Sequence, residues 1–589
     1  MTETALGVER SVSGRRWVWR AGDARLGAAL AQRLGVPELV GRLLAARGIG
    51  VDAAAAFLEP TLRGLLPDPS ILRDMDAAAA RLADAVQAGE RVAVFADYDV
   101  DGACSGALMV GVLRRLGVEA THYVPDRLAE GYGPNAAAIA GLIERGASLV
   151  VCVDCGISAH EALAVALGRA DVVVLDHHKS DGPPPRVSAA VNPNRLDCNS
   201  GLRQLCAAGV AFLAAVALQR ELRRRGFFAA RAEPDLREML DIVALATVCD
   251  VVPLSGINRA FVQQGLRVLA QRGRAGLAAL MDVSGQKDTP SAYTLGFLLG
   301  PRINAGGRIS LPDLGLRLLL EEDPLEARGL AERLDAVNRK RQEVEAGVLD
   351  AAMAQAEDQL AAGHAMLLLR SEGWHPGVVG IVAGRVRERF NRPAGVVGMA
   401  SGVGKGSARS VPGLDLGAAV IMARQGGLLL AGGGHAMAAG FTVDAARIDA
   451  FHAHLDERLA DARLLPRVAE LSIDGVVQPR AASNAMAEQI GRLSPFGAGN
   501  DEPAFAVPQA RIAKADRIGK DGGTVRAFIE GEDGARLKAI CFRAKEGPLA
   551  DALLARGAAP LTLAGYLRAE RWQDQVTTCL YVVDAALPN

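Results

Sequence analysis

Three apolar runs in this chain end alike: "RVAVFADYD" closes on Asp97 and Asp99, "SLVVCVD" on Asp154, and "DVVVLDHH" on Asp176, His177 and His178. Runs this short and this uniformly apolar read as strands buried on both faces. The Ala/Leu-rich stretches between them read as covering helices, which is the grammar of a parallel sheet. In an open parallel sheet the C-terminal strand ends converge on one crevice, so these acids and histidines are expected to meet there. "ATHYVPD" supplies a further strand candidate.

The acids themselves need an explanation. "FADYDVDGACSG" (95–106) sets Asp97, Asp99 and Asp101 at alternate positions, where each charge raises the cost of ionising the next. An acidic turn after a strand is ordinary, but a hard divalent cation converts the repulsion into coordination, since Mg2+ and Mn2+ prefer oxygen ligands. "DIVALATVCDVVPL" adds Asp241 and Asp250 in an apolar setting where an unpaired charge is costly, so Asp250 is expected to have a cation or a partner. Four or five carboxylates with one or two histidines exceed the needs of a single Mg2+. They fit a metal pair roughly 3.5 to 4 Å apart that acidifies a water for phosphoester hydrolysis.

With 589 residues, half of them hydrophobic, the chain has room for about three or four well-buried domains. A net charge of −1 neither announces nor excludes a nucleic-acid partner. The N-terminus lacks a secretory pattern, and no uncharged apolar run approaches the ~20 residues of a membrane span, so a soluble cytoplasmic protein is expected. Among the eight cysteines only Cys152 and Cys155 are closely spaced, which reads as reduced thiols rather than a zinc site. The periodicity divides the chain into a helical segment (1–65), an α/β parallel-sheet lobe (66–320), a long connecting helix (321–362), a second α/β lobe (363–463) and a small β-barrel (464–589).

Four further motifs have the composition of anion sites. "GPRINAGGRI" carries Arg302, Asn304 and Arg308, and "GKGSARS" carries Lys405, Ser407 and Arg409; guanidinium groups fork onto phosphate oxygens, and glycine lets backbone N–H donors approach. "GGGHAMAAG", with Gly433, Gly434 and His435, and "EGWHPGVVG", with Trp374 and His375, read as loop-to-helix junctions able to hold a phosphate or stack a base. Aromatic residues make up only 4% of the chain, so a narrow groove rather than a long stacking platform is expected to select single strands. Tyr132, Trp374, Phe496 and Trp572 are the candidates for base contact, Trp374 first.

"DYDVDG", "VDCGIS", "DHH" followed by "VNPNR", and "ATVCDVVPL" resemble, in that order, the four motifs of the DHH phosphoesterases. The downstream motifs, with "LSPFGAGNDEPAF" (493–505), resemble those of that family's single-stranded-DNA exonucleases, and the likeness runs from about residue 70 onward. The resemblance implies a DHH lobe and a DHH-associated lobe facing it across a cleft, followed by an OB-like barrel. It implies 5′-to-3′ hydrolysis of single-stranded DNA to nucleoside 5′-monophosphates in recombination and repair, with two ions of Mn2+ or Mg2+, by a monomer helped by single-stranded-DNA-binding protein. Carried over by motif, the metal ligands are Asp97, Asp99, Asp154, His177 and Asp250, with Asp101 and His178 as further catalytic residues, and Ser407 and Arg409 receive the 5′-phosphate. Phe95 departs from relatives that have a histidine there, which bears on the second metal. The rival readings are a compact phosphodiesterase of short oligonucleotides or cyclic dinucleotides, and a non-catalytic scaffold on a decayed lobe. The chain's length argues against the first and its intact ligand positions against the second.

Overall fold

The computed structural model of the chain describes residues 3–180, 182–465, 469–519, 522–532, 534–555, 559–572 and 575–587. It divides into two compact units, one of residues 60–343 with 495–501, the other of residues 1–59, 344–494 and 502–589.

The N-terminal 65 residues, expected to be helical, include a strand, β1 (Arg16–Trp19), between a 3-10 turn at Ala5–Gly7 and the helices Ala24–Leu34 and Glu38–Ala45. The short strand offers only Trp17 and Val18 to a core, and its partner lies far away in sequence, so local periodicity does not reveal it.

The first unit holds a five-stranded sheet of β2 (Val92–Ala96), β3 (Ala120–Tyr123), β4 (Leu149–Val153), β5 (Asp171–Leu175) and β6 (Ala189–Val191). The order is β3-β2-β4-β5-β6 and every pairing is parallel. All five residues of β2 and of β4 are buried, because the helices Met75–Ala88, Val100–Arg115 and Ala207–Arg224 cover one face while Ile139, Leu142, Ile157 and Leu163 cover the other. This is why those strands read as unbroken apolar runs. The chain passes from β2 outward to β3 and returns to β4 on the other side of β2. The strand order therefore reverses beside β2, where a crevice opens at the C-terminal ends.

The connecting helix runs from Pro324 to Ala361, against an expected 321–362, and at 38 residues spans about 57 Å. In the second unit, β7 (Leu367–Glu372), β8 (Ala394–Ala400), β9 (Val403–Arg409), β10 (Ala431–His435) and β11 (Ala438–Asp444) form a mixed sheet in the order β10-β11-β9-β8-β7. Then follow β12 (Glu470–Ile473), β13 (Gly475–Val476), β14 (Ala504–Ile518), β15 (Thr524–Glu530), β16 (Arg536–Cys541), β17 (Leu561–Trp572) and β18 (Gln575–Ala586). Pairing of β14 with both β15 and β17 closes β14-β15-β16-β18-β17 into a barrel, which leaves no open edge among those five strands.

β1 pairs in parallel with β12, and Ala5, Val8 and Trp17 pack with Leu471, Ile473, Ala506, Ala564 and Ala586. The start of the chain thus belongs to the barrel's core. Its polar anchor is Asp584, fully buried, which accepts hydrogen bonds from Trp17 Nε1 at 2.9 Å and from the Ser13 N–H at 3.2 Å. Replacing Trp17 by Phe keeps a ring in the core but removes one donor from a buried carboxylate, a loss of about 1–3 kcal/mol. We expect Trp17→Phe to unfold at a correspondingly lower urea concentration with an unchanged denaturant slope; a midpoint equal to wild type would show that this bond carries no stability.

Candidate metal centre and anion site

Each ligand-bearing loop is short because a strand ends and a helix or turn begins at once. Asp97 follows β2, and Asp99 caps the helix Val100–Arg115 by accepting from the Gly102 N–H at 3.0 Å. Gly102 is required there, because a Cβ would lie 2.3 Å from the Asp97 carbonyl oxygen. Asp154 follows β4 in the left-handed region at φ 61°, an uncommon conformation for a residue other than glycine. Asp250 ends the helix Leu240–Cys249.

These elements bring the sequence-selected residues together. Ligand atoms of Asp97, Asp99 and Asp154 lie within 4.8 Å of one another, as do those of Asp154, His177 and His178, and those of Asp101, His177 and Asp250. Asp154 links the first group to the second, and His177 the second to the third. His177 donates from Nδ1 to the Leu205 carbonyl at 3.1 Å, which fixes the tautomer and leaves the Nε2 lone pair facing Asp154 at 3.3 Å and Asp250 at 3.7 Å.

Asp101, His178 and Asp176 do different work. Asp101 accepts the Ala207 and Ala208 amides at 2.6 and 2.8 Å, so both its oxygens bind the N-terminus of the helix Ala207–Arg224. Asp176, quoted in the sequence only as part of the histidine motif, accepts from the N–H groups of Ile157, His177 and His178 and from His178 Nδ1. It thereby sets the geometry of the whole turn. Asn192 and Asn194 of "VNPNR" donate to the His178 and His177 carbonyls at 2.8 and 2.6 Å. Tyr132, half-exposed at 52%, donates to the Asp154 carbonyl at 3.0 Å and lies 3.0 Å from a His178 ring nitrogen. Its ring meets Tyr98 edge-on.

The electrostatics show what these carboxylates call for. Burial, then the neighbouring carboxylates, push Asp154 far above the usual carboxylate range, and burial with Asp99 does the same to Asp97. Burial and the charges of Asp101 and Asp99 push Asp250 up to about 9. Asp176 goes the other way: burial opposes its ionisation, but the His178 hydrogen bond and charge outweigh it and hold the carboxyl down to about 2. Asp97 Oδ1 and Asp154 Oδ1 are buried with no hydrogen-bond partner among the described residues. Orphaned carboxylate oxygens converging with a pre-set imidazole fit a hard divalent cation, and oxygen-rich donors with one or two imidazoles suit Mg2+ or Mn2+ better than a thiolate metal. Phe95 is fully buried and packs on Tyr123 with ring centroids 5.3 Å apart. Asp241 is paired with Arg274 at 2.8 Å.

A second grouping of His364, His452 and Asp456 differs in kind. Its two rings stack with planes 26° apart, so their in-plane lone pairs do not converge, and Asp456 is taken by the Ala365 and Met366 amides and Arg463.

Of the two motifs expected at loop-to-helix junctions, "EGWHPGVVG" is one, leading into the helix Pro376–Phe390, and "GGGHAMAAG" is not. "GPRINAGGRI" is the helix Gly300–Ile309. Arg302 is bound to Asp335 at 2.9 Å and the Leu298 carbonyl at 2.7 Å. Asn304 lies half-buried on this helix, and Gly307 lets it approach Tyr98, whose carbonyl a Cβ would meet at 2.5 Å, which brings the charge of Arg308 to bear on Tyr98.

In the other unit "GSARS" lies on β9, and "GGGH" is β10 of a hairpin with β11 rather than a loop-to-helix junction. Register does what sequence proximity could not: Ser407, Gly440 and Gly433 align in one row, and Arg409, Ala438 and His435 in the next row of the same face. Ser407 Oγ accepts from Arg409 Nη1 at 2.9 Å. Gly434 adopts φ 156°, where a Cβ would strike the Ala438 carbonyl at 2.4 Å. A Cβ at Gly433 or Gly440 would meet nothing within 4 Å, so the glycines leave an open floor beside Arg409 and His435. His375 caps the helix Pro376–Phe390, its Nδ1 accepting from the Gly377 N–H at 3.0 Å. Trp374, the first choice for base stacking, is only 9% exposed and packs in the core with Val378, Val382 and Val396, because an apolar ring beside β8 gains more by burial. Phe496 is half-buried, and the Trp572 side chain lies outside the described residues.

Comparison with known proteins agrees with this architecture. Residues 91–247 match the DHH family N-terminal domain, 362–461 the DHHA1 domain and 473–584 the RecJ OB domain. The single-stranded-DNA-specific exonuclease RecJ of Bacillus subtilis (strain 168) is 34% identical over 98% of this chain and 71% of its own length. The crystal structure of Thermus thermophilus RecJ in complex with Mn2+ matches with a TM-score of 0.78 at 30% identity, covering 96% of this chain and 78% of that one. The Mg2+ complex of the same protein matches at 0.72 and 28%, over 96% and 77%. With the motifs, the strand-end site and a relative this similar over most of both chains, the chain belongs to the RecJ family of single-stranded-DNA-specific exonucleases.

Proposed function

We propose that this chain hydrolyses single-stranded DNA from its 5′ end with two divalent ions, Mn2+ or Mg2+, releasing nucleoside 5′-monophosphates in recombination and repair. The observation that carries the reading is the pair of buried carboxylate oxygens of Asp97 and Asp154, without hydrogen-bond partners among the described residues, beside an imidazole held with its lone pair toward them.

Asp97, Asp99, Asp154, His177 and Asp250 would hold the ions, and the overlap of their groupings at Asp154 and His177 supports two positions rather than one. The ions would supply positive charge to the phosphoryl oxygens and lower the pKa of a water. Asp101 ties the ligand loop to a helix terminus and so keeps Asp99 in place. Asp176 holds His178 by a hydrogen bond that, with its charge, outweighs burial and raises the imidazole to about 9. Ser407, Arg409, Gly433, Gly434 and His435 would receive a terminal phosphate, the guanidinium by forked hydrogen bonds and the glycine floor by leaving room for its oxygens. The single-stranded-DNA-binding protein is the partner this reading favours.

Asp154→Asn removes charge without changing shape. We expect strand binding within about threefold of wild type and hydrolysis of a 5′-labelled oligonucleotide reduced by at least about 10³, to the level that EDTA imposes on wild type; unchanged turnover would remove Asp154 from the site. Arg409→Ala should lose about tenfold of the preference for a 5′-phosphorylated over a 5′-hydroxyl end, read as the ratio of kcat/KM values, with the rate on the hydroxyl end little changed.

Metal and protons compete for the same oxygens, which gives a pH signature. In the metal-free fold Asp97, Asp154 and Asp250 keep protons that the unfolded chain releases near pH 4. Their raised pKa values therefore favour the fold at low pH, and that contribution is lost as the pH climbs through the folded values, up to about 9 for Asp250. Mn2+ displaces those protons and relieves the penalty. The rise in Tm on adding Mn2+ should accordingly be larger at pH 8.5 than at pH 6.5, and an equal rise at both would count against these carboxylates as ligands.

A further inference from the structure

The helix Gly256–Ala270 opens with two polar side chains that solvent does not reach, Asn258 at 0% and Arg259 at 1% exposure. Buried polar groups are costly unless hydrogen-bonded, and the partners chosen here lie next to the metal ligands. Asn258 Nδ2 donates to the Gln204 carbonyl at 2.6 Å and to the Pro253 carbonyl at 3.0 Å. Gln204 precedes Leu205, whose carbonyl holds His177, and Pro253 lies three residues after Asp250. One amide group thus joins the two loops that carry His177 and Asp250.

The turn after Asp250 does not support itself. Val251 is 70% exposed and sits at φ 58°, a conformation unfavourable for a β-branched residue. Its support comes from the segment 495–501, which belongs to this unit although the residues before and after it belong to the other. The Leu254 N–H donates to the Ala498 carbonyl at 2.8 Å, and Arg259 Nη1 donates to the Pro495 carbonyl at 3.3 Å. Asn500 donates to that same carbonyl at 2.8 Å and bridges to Gly497, closing the loop on itself. The glycines of "PFGAGN" fit it to its seat: a Cβ at Gly497 would lie 2.8 Å from Leu254 Cδ1, and one at Gly499, at φ 69°, 3.2 Å from Pro253 Cβ.

We infer that Asn258 and the Pro495–Asn500 loop are positioning elements of the metal centre, a hydrogen-bonded strut that fixes the Asp250 turn relative to His177. The carboxylate and the imidazole sit 3.7 Å apart, and the strut is the shared support of the two segments that carry them. A segment lying between two stretches of the barrel-bearing unit therefore completes the site, and metal binding is coupled to its seating. This inference rests on the metal reading above.

The test is Mn2+ binding to the full-length protein without DNA, measured from the free-ion EPR signal, with the Tm in EDTA recorded in parallel. Gly497→Ala pushes a methyl against Leu254, and Leu254→Val removes the atom it strikes. We expect Gly497→Ala to weaken Mn2+ binding by about 10-fold or more, with the double variant Gly497→Ala/Leu254→Val recovering to within about threefold of wild type. Wild-type affinity in a folded Gly497→Ala protein would overturn the strut. Failure of wild type itself to bind Mn2+ would overturn the metal reading and the strut with it. Should Gly497→Ala not fold, Gly499→Ala, with a gentler approach to Pro253, takes its place under the same two criteria.

Discussion

The structure is organised around a repulsion. Asp97, Asp99, Asp101, Asp154 and Asp250 are drawn together at the C-terminal edge of a sheet whose strands are sealed on both faces, and in such a setting like charges interact far more strongly than in water. Nothing in the sheet itself relieves this. Relief comes from the helix terminus that takes Asp101 and from the peptide groups and imidazole that take Asp176, and the remaining carboxylates stand in groups that could hold a cation.

Much of this was legible in the sequence because strand burial and strand-end chemistry are both local. A run such as "LVVCVD" announces its two covered faces through its unbroken apolar character and its functional end through the first acid. The five ligand candidates converge as their positions suggested. What could not be read was any role decided by a partner distant in the chain. Asp101 and Asp99 are two residues apart in one motif, yet only the position of the helix Ala207–Arg224 makes the first a helix anchor and leaves the second a capping acid. Asp176 carries the same letter as Asp154, and its three amide donors come from two loops, Ile157 after β4 and His177 and His178 after β5, whose approach composition does not specify.

The second unit teaches the converse lesson. "GGGHAMAAG" reads as a loop-to-helix junction, and it is instead the strand pair β10 and β11. The glycines do serve close approach, but between strands of a sheet and toward open space, and the rows joining Ser407 to Gly433 and Arg409 to His435 depend on register, which pattern alone does not supply. Trp374 misled for a simpler reason: a tryptophan beside a histidine in a loop looks exposed until the strand behind it is known.

The parallel pairing of β1 with β12 bears on how the polypeptide comes into being. Trp17 cannot be covered until residues near 470 have been made. At elongation speeds of roughly 5–20 residues per second, that leaves an apolar edge waiting for about 20 to 90 s. For that interval the nascent chain carries an unpaired strand, while β2 to β6 of the parallel sheet already have one another as partners. Order of synthesis and order of assembly are therefore opposed for this strand: β1 is made long before its partner β12, and its shortness, four residues, limits what else it can pair with in the meantime.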